Sequence, residues 1–206
     1  MTVTSVRTDR RTATRQRIAD AAARLASEHG VAATTADQIA AEAGVGRATF
    51  FRHFDSKELA VATGLADAAI FVIVGLLAEV PPQVGPLDAV RAAYARLGED
   101  FDANRQTFLD QADLCRSSPA MFAWTLRLYV DWEMAIADAV RPRFVALAPH
   151  DPRPRMVGAM AMAAVRLACD EWLVDRGSGD LPALVQEHLD ALHLPPDPRP
   201  DPRGAR

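Results

Sequence analysis

Apolar residues recur along this chain at three- and four-residue intervals, and no run of β-branched residues alternates with polar ones at period two. Ala, Leu, Arg and Glu dominate, with Gly and Pro falling between the periodic stretches, so the pattern predicts an all-α fold. A first helix fits Thr14 to His29. It carries Ile18, Ala21, Ala22 and Leu25 on one face, a basic opposite face (Arg15, Arg17, Arg24) and Gly30 as a left-handed stop. Thr35 and Gln38 stand three apart as a capping box that opens a short helix with Ile39, Ala40 and Ala43 on its apolar side, and Gly44 ends it. A second short segment runs from Arg47 to His53, and Asp55 with Glu58 repeats the capping-box spacing before the next helix.

That next helix, Ser56 to Val80, is apolar almost all round in its middle (Ile70, Phe71, Val72, Ile73, Val74, Leu76, Leu77) and is expected to be central, with Pro81-Pro82 stopping it. Further helices are expected over Leu87 to Asn104, Gln106 to Arg116 and Pro119 to Val140. After a proline-broken loop from Asp151 to Arg155 come a helix from Met156 to Arg176 and a last one from Pro182 to about His193. The tail from Pro195 to Arg206 is Pro-rich and charged, has nothing to bury and reads as disordered.

The segments Thr35 to Ala43, Gly44-Val45-Gly46 and Arg47 to His53 have helix-turn-helix spacing. Ile39, Ala40, Ala43, Val45 and Phe50 would hold the two helices together, leaving Gly46, Arg47, Ala48, Thr49 and His53 outward. The chemistry suits a DNA major groove: Arg47 can donate a bidentate pair to guanine, Thr49 can meet a base edge or a thymine methyl, and small Ala48 permits close approach. Thr35 and Lys57 sit at helix starts, placed for phosphate oxygens.

Charge supports that reading. The net −4 hides a division: residues 1 to 57 hold nine Lys and Arg against six Asp and Glu, and the rest hold 14 against 21. A basic head on an acidic body points to a polyanion partner for the head. The chain therefore divides into a flexible arm (1–13), a helix-turn-helix domain (14–56), a helical body (57–194) and a disordered tail (195–206).

Other classes are excluded. At 206 residues, half of them hydrophobic and 24% charged, bulk disorder is ruled out. The longest charge-free hydrophobic stretch, Ala68 to Ala78, is eleven residues against the ~20 of a membrane span, and the N-terminus lacks a signal-peptide core, so a cytoplasmic protein with no membrane partner is expected. Cys115 and Cys169 are isolated, without zinc spacing. Gly44-Val45-Gly46 lacks the third glycine of a dinucleotide fingerprint, the histidines of Glu187-His188 and His193 miss the HExxH spacing, and no GxSxG occurs. No catalytic group, metal or cofactor is expected.

The run TTADQIAAEAGVGRATFFRHFDSKELA, Thr34 to Ala60, strongly resembles the DNA-binding signature of the TetR family of bacterial transcriptional regulators. Two positions depart from it: Phe51 stands where the family usually has Tyr, and Gly46 where it often has Ser. Arg47, Arg52 and His53 are placed to compensate. The resemblance implies a homodimer that binds a palindromic double-stranded operator through Thr35, Gly46, Arg47, Ala48, Thr49, Phe51, Arg52, His53 and Lys57, and lets go when a small molecule enters the body.

In such a protein the effector pocket lies among the middle helices, where Phe101, Arg105, Phe108, Met121, Trp124, Leu128 and Trp132 are the candidates; for each, ordinary core is the alternative. The last two helices are the candidate dimer interface. Small residues such as Gly158, Ala161 and Ala168 allow close approach, with Met160, Ala164, Leu167, Leu184, His188 and Leu192 as contacts, and internal core again the alternative. The TFFRHF variant and the stretch DPRPRMVGAMAMAAVRLACDEWL are also similar to an actinobacterial subgroup associated with acyl-CoA-like ligands, which makes a hydrophobic or acyl effector the preferred expectation. The competing function is a helical small-molecule-binding or interaction protein without operator binding.

Overall fold

A computed structural model describes the backbone of residues 3–193 and the side chains of residues 10–193. The tail reading, 195–206, lies outside the described residues. Among the described residues the chain is all helical: α1 (Val3–His29), α2 (Ala36–Glu42), α3 (Arg47–His53), α4 (Lys57–Glu79), α5 (Pro86–Gly98), α6 (Phe101–Arg116), α7 (Pro119–Val140), a 3₁₀ turn (Arg141–Arg143), α8 (Arg153–Val174) and α9 (Leu181–Asp190).

Several boundaries follow their chemical signals. Thr35 caps α2 by the full reciprocal capping box with Gln38, and Gly30 (φ 82°) and Gly44 (φ 65°) take the left-handed conformation that ends α1 and α2. Others differ from expectation. The α1 helix begins at Val3, not Thr14. The cap of α4 is Ser56, whose Oγ accepts from the Leu59 amide, and not Asp55. The break between α5 and α6 falls after Gly98, six residues earlier than expected, and Pro154 sits inside the first turn of α8 instead of breaking a loop.

The chain folds into two compact units, residues up to 69 with 104–126, and 70–103 with 127 onward. The division therefore runs through α4, and the turn between α6 and α7 belongs with the head rather than the body. The first unit has a core of Ile18, Ala22, Ile39, Phe50, Phe54 and Val61, joined by Leu114 and Met121. Within it α4 crosses α1 closely at Gly64, where a Cβ would lie 2.1 Å from the Ala19 carbonyl oxygen.

In the second unit α5, α8 and α9 pack together around Val90, Ala93, Met162, Ala168 and Leu189. Gly158 of α8 fits against the backbone of α7, its absent Cβ 2.1 Å from the Glu133 carbonyl oxygen. Arg143 closes the C-terminus of α4 by donating to the carbonyls of Leu77 (2.6 Å) and Val80 (2.9 Å), and Arg91 does the same for α9 at Leu189 and Leu192.

The α4 helix is not buried all round: Ile73 and Leu77 turn inward, while Phe71 is 81% exposed and Val72 is exposed too. Its 23 residues are also long and apolar enough by length and composition to cross a membrane, which the count of uninterrupted apolar residues missed because Asp67 divides the segment. Its first half is core of the head, through Ala60, Val61 and Ala62.

Candidate nucleic-acid interface

The turn Gly44-Val45-Gly46 sets α3 against α2 over Ile39, Ala40, Ala43 and Phe50, all buried, with Val45 packed at their edge. Phe50 makes an edge-on contact with Phe51 (5.1 Å between centroids) and a tilted one with Phe54 (6.1 Å). The end of α3 is held from α1: the Arg15 guanidinium donates to the His53 carbonyl and lies 4.0 Å over the Phe54 ring. That places a cation at a helix C-terminus, where the carbonyls lack intrahelical partners.

On this pedestal three of the five residues expected outward are exposed. Gly46, Arg47, Ala48, Phe51 and Arg52 are exposed, and Thr49 and His53 are half-buried. Gly46 caps α3 without a side-chain hydrogen bond. Arg52 lies 3.4 Å from the Thr49 hydroxyl. His53 is held below the ordinary histidine range, first by partial burial and then by Arg52, Arg11 and Arg15. Arg47 Nη1 donates to Asp37 Oδ1 at 2.5 Å, and its Cζ stands 5.0 Å from the Phe51 ring centroid.

Two of the residues expected at phosphates, Lys57 and Thr35, have partners within the head. All three donors of the Lys57 ammonium go to backbone carbonyls, those of Thr34 (2.6 Å), Val31 (2.9 Å) and Ala32 (3.3 Å). The Thr35 hydroxyl is engaged with Gln38 on both its donor and acceptor sides. Asp37 and Arg15 were not singled out at this surface, because their roles depend on contacts 10 and 38 residues away in sequence that no periodicity marks.

The expected effector residues are divided between the two units. Met121 belongs to the head core and Trp124 packs against it; beside them lies a crevice of about 620 Å³, lined by Leu59, Met121 and Trp124 with Asp55, Glu58 and Ser117, that is open to the surface and not an enclosed pocket. Arg105 and Phe108 fall in that same unit, both partly buried. Phe101 is core of the other unit, edge-on to Trp172 at 5.6 Å. Leu128 and Trp132 are half-buried in that second unit, and among the described residues the buried indole N–H of Trp132 meets no acceptor.

Of the expected interface residues, Ala164 is buried inside the subunit, in line with Gly158, Ala161 and Ala168, so the small residues of α8 serve internal packing. Leu167 is exposed, whereas Met160, Leu184, His188 and Leu192 are half-buried. His188 hydrogen-bonds the Leu184 carbonyl and lies 3.5 Å from Glu171.

A short, Arg-bearing helix presented from a helix-turn-helix defines a DNA-binding transcription regulator. A sequence profile described as bacterial regulatory proteins of the tetR family matches residues 18–63, and one described as the MftR C-terminal domain matches residues 84–195. The chain belongs to the TetR family of transcriptional regulators, with a C-terminal domain of the MftR type.

It is 30% identical over 188 residues to the HTH-type transcriptional regulator TcmR of Streptomyces glaucescens, covering 87% of this chain and 82% of that one. To a protein named as the mycofactocin biosynthesis transcriptional regulator MftR of Mycobacterium tuberculosis it is 27% identical over 166 residues, 81% and 83% of the two chains. Among solved structures, the Thermus thermophilus repressor FadR in complex with lauroyl-CoA shares the fold, with a TM-score of 0.58 at 22% identity over 91% of this chain and 99% of that one.

Proposed function

We propose that this regulator is a ligand-responsive repressor that acts in the cytoplasm, binds a palindromic operator as a homodimer and is released by a small hydrophobic, acyl-type effector. The observation that carries the DNA-binding half is the exposed face of α3: Arg47, Ala48, Thr49, Phe51 and Arg52 stand outward on a helix whose inner residue, Phe50, is fully buried. In this reading Arg47 reads a guanine and Thr49 a base edge, while Arg52 and His53 supply positive charge toward phosphate. Lys57 positions the head instead of touching DNA, since its donors are committed.

Dimerisation is supported by the exposed apolar residues of α8. Met156, Leu167 and Val174 are spaced 11 and 7 apart and so share one helix face, with Met160 a turn beyond Met156. Two copies would offer two recognition helices to a two-fold site, which one seven-residue helix reads too weakly.

Effector control is supported by Trp132, whose buried indole N–H lacks an acceptor among the described residues, a state that costs about 1–3 kcal/mol until one arrives. An apolar molecule carrying a carbonyl would supply that acceptor. Lauroyl-CoA, the ligand of the FadR structure of like fold, is a suitable first probe. Footprinting of the DNA flanking its own gene at low salt, with and without lauroyl-CoA, tests the proposal. It expects one symmetric protected site that is lost as salt or effector rises.

A further inference from the structure

We propose that Asp37 is a specificity-determining residue of this DNA reader: its carboxylate and the Phe51 ring together hold the Arg47 guanidinium ready for guanine. The inference rests on the reading, proposed above, that Arg47 contacts a base.

An unrestrained arginine at the start of an exposed helix samples many rotamers, and it must give up that freedom to meet guanine O6 and N7 with two parallel N–H groups. Here much of the restraint precedes DNA. Asp37 Oδ1 receives a hydrogen bond from Nη1 at 2.5 Å, and the guanidinium carbon lies 5.0 Å from the centre of the Phe51 ring. The two supports act from different helices, the carboxylate from α2 and the ring from α3 itself.

Both supports are themselves fixed. Asp37 lies in the first turn of α2, inside the Thr35–Gln38 capping box and just before the buried Ile39 and Ala40. Phe51 leans edge-on against the fully buried Phe50. The substitution of Phe for the Tyr usual in related recognition helices thus retains a ring beneath Arg47 while removing a hydroxyl.

The pair could instead compete with DNA for Arg47. The atoms engaged argue otherwise: Asp37 takes only Nη1, and the Nε–Nη2 edge, which carries two parallel donors, makes no hydrogen bond among the described residues. That free edge is a fork able to grip a guanine while the carboxylate keeps its hold. Side chains of Arg47 and Asp37 are 62% and 66% exposed, so the pair contributes little to stability and its consequence lies in orientation.

The test is selection from a duplex library with a randomised core of roughly 20 base pairs, enough for two half-sites one turn apart, using the full-length wild type, Asp37→Ala, Asp37→Asn and Arg47→Ala. Wild type is expected to prefer guanine at one position per half-site by about 5–150-fold, and Arg47→Ala to lose that preference. Asp37→Ala is expected to lower the preference by about 3–10-fold at that position alone, whatever happens to overall affinity, with Asp37→Asn intermediate. If Asp37→Ala keeps the full preference, even while binding all sequences more tightly, the positioning role is overturned. If Arg47→Ala keeps it, the base-reading role of Arg47 fails instead.

Discussion

The ammonium of Lys57, at the start of α4, donates to the carbonyl of Thr34 at 2.6 Å, across 23 residues of sequence. Thr34 is itself buried, its hydroxyl bonded to the Gly30 carbonyl at 3.0 Å, so Lys57 ties α4 to the turn that carries α2. Together with the Val31 and Ala32 carbonyls this makes a cage for the ammonium. Lys57→Met should therefore destabilise the protein by about 1.5–3 kcal/mol, the range for hydrogen bonds to a charged group. The salt dependence of DNA binding should keep its slope. A slope smaller by about one unit in the variant would return Lys57 to a phosphate.

Two glycines of α4 offer an internally controlled comparison. A Cβ at Gly64 would stand 2.1 Å from the Ala19 carbonyl oxygen, whereas one at Gly75 would meet nothing within 4 Å. Gly64→Ala must push α1 and α4 apart and should cost about 1–3 kcal/mol or more, with loss of DNA binding. Gly75→Ala should stabilise by up to about 1 kcal/mol through helix propensity alone. Thermal unfolding of both variants checks this, and equal effects would contradict the close crossing at Gly64.

His53 links the reading head to pH. Its folded-state pKa lies below the ordinary 6.5, so the unfolded chain takes up the proton more readily than the folded one. The contribution of His53 to stability is then fully present above about pH 6.5 and declines as pH falls below it. Phosphates near His53 would reverse the preference, so DNA binding should tighten as pH drops from 7 toward 6 and the dependence should flatten in His53→Gln. Parallel pH profiles for the two proteins would remove His53 from the interface.

Much of this architecture was legible locally. Thr35 with Gln38, Pro119 at the start of α7, and the glycines at 30 and 44 act through neighbours within a turn, so spacing alone located them. What escaped was contact at a distance. Nothing in the periodicity of α6 and α7 says that Leu114 and Met121 complete the head core, and nothing local reveals that Lys57 or Arg143 caps carbonyls in another element. The small residues of α8 were visible as a close-packing face, but composition could not tell what lies against each of them; Gly158 meets the α7 backbone at Glu133. The Arg-rich start of α1 has little apolar periodicity, which concealed its helix.

Trp132 is the residue through which an effector would register. Trp132→Phe removes a buried, unpartnered N–H, so the protein without ligand should be as stable as wild type or slightly more so. Release from DNA by lauroyl-CoA should then need about 5–10-fold more ligand, the loss of one hydrogen bond of ~1–1.5 kcal/mol. Unchanged release would take the indole out of the site.

The most direct measurement is quantitative footprinting with sedimentation of the complex on the DNA flanking this gene, at several salt concentrations. The account predicts a two-fold symmetric protected site, half-sites about one turn apart, bound by an even number of chains with affinity falling steeply as salt rises. Protection without symmetry, a single bound chain, or no protected site even at low salt would contradict it.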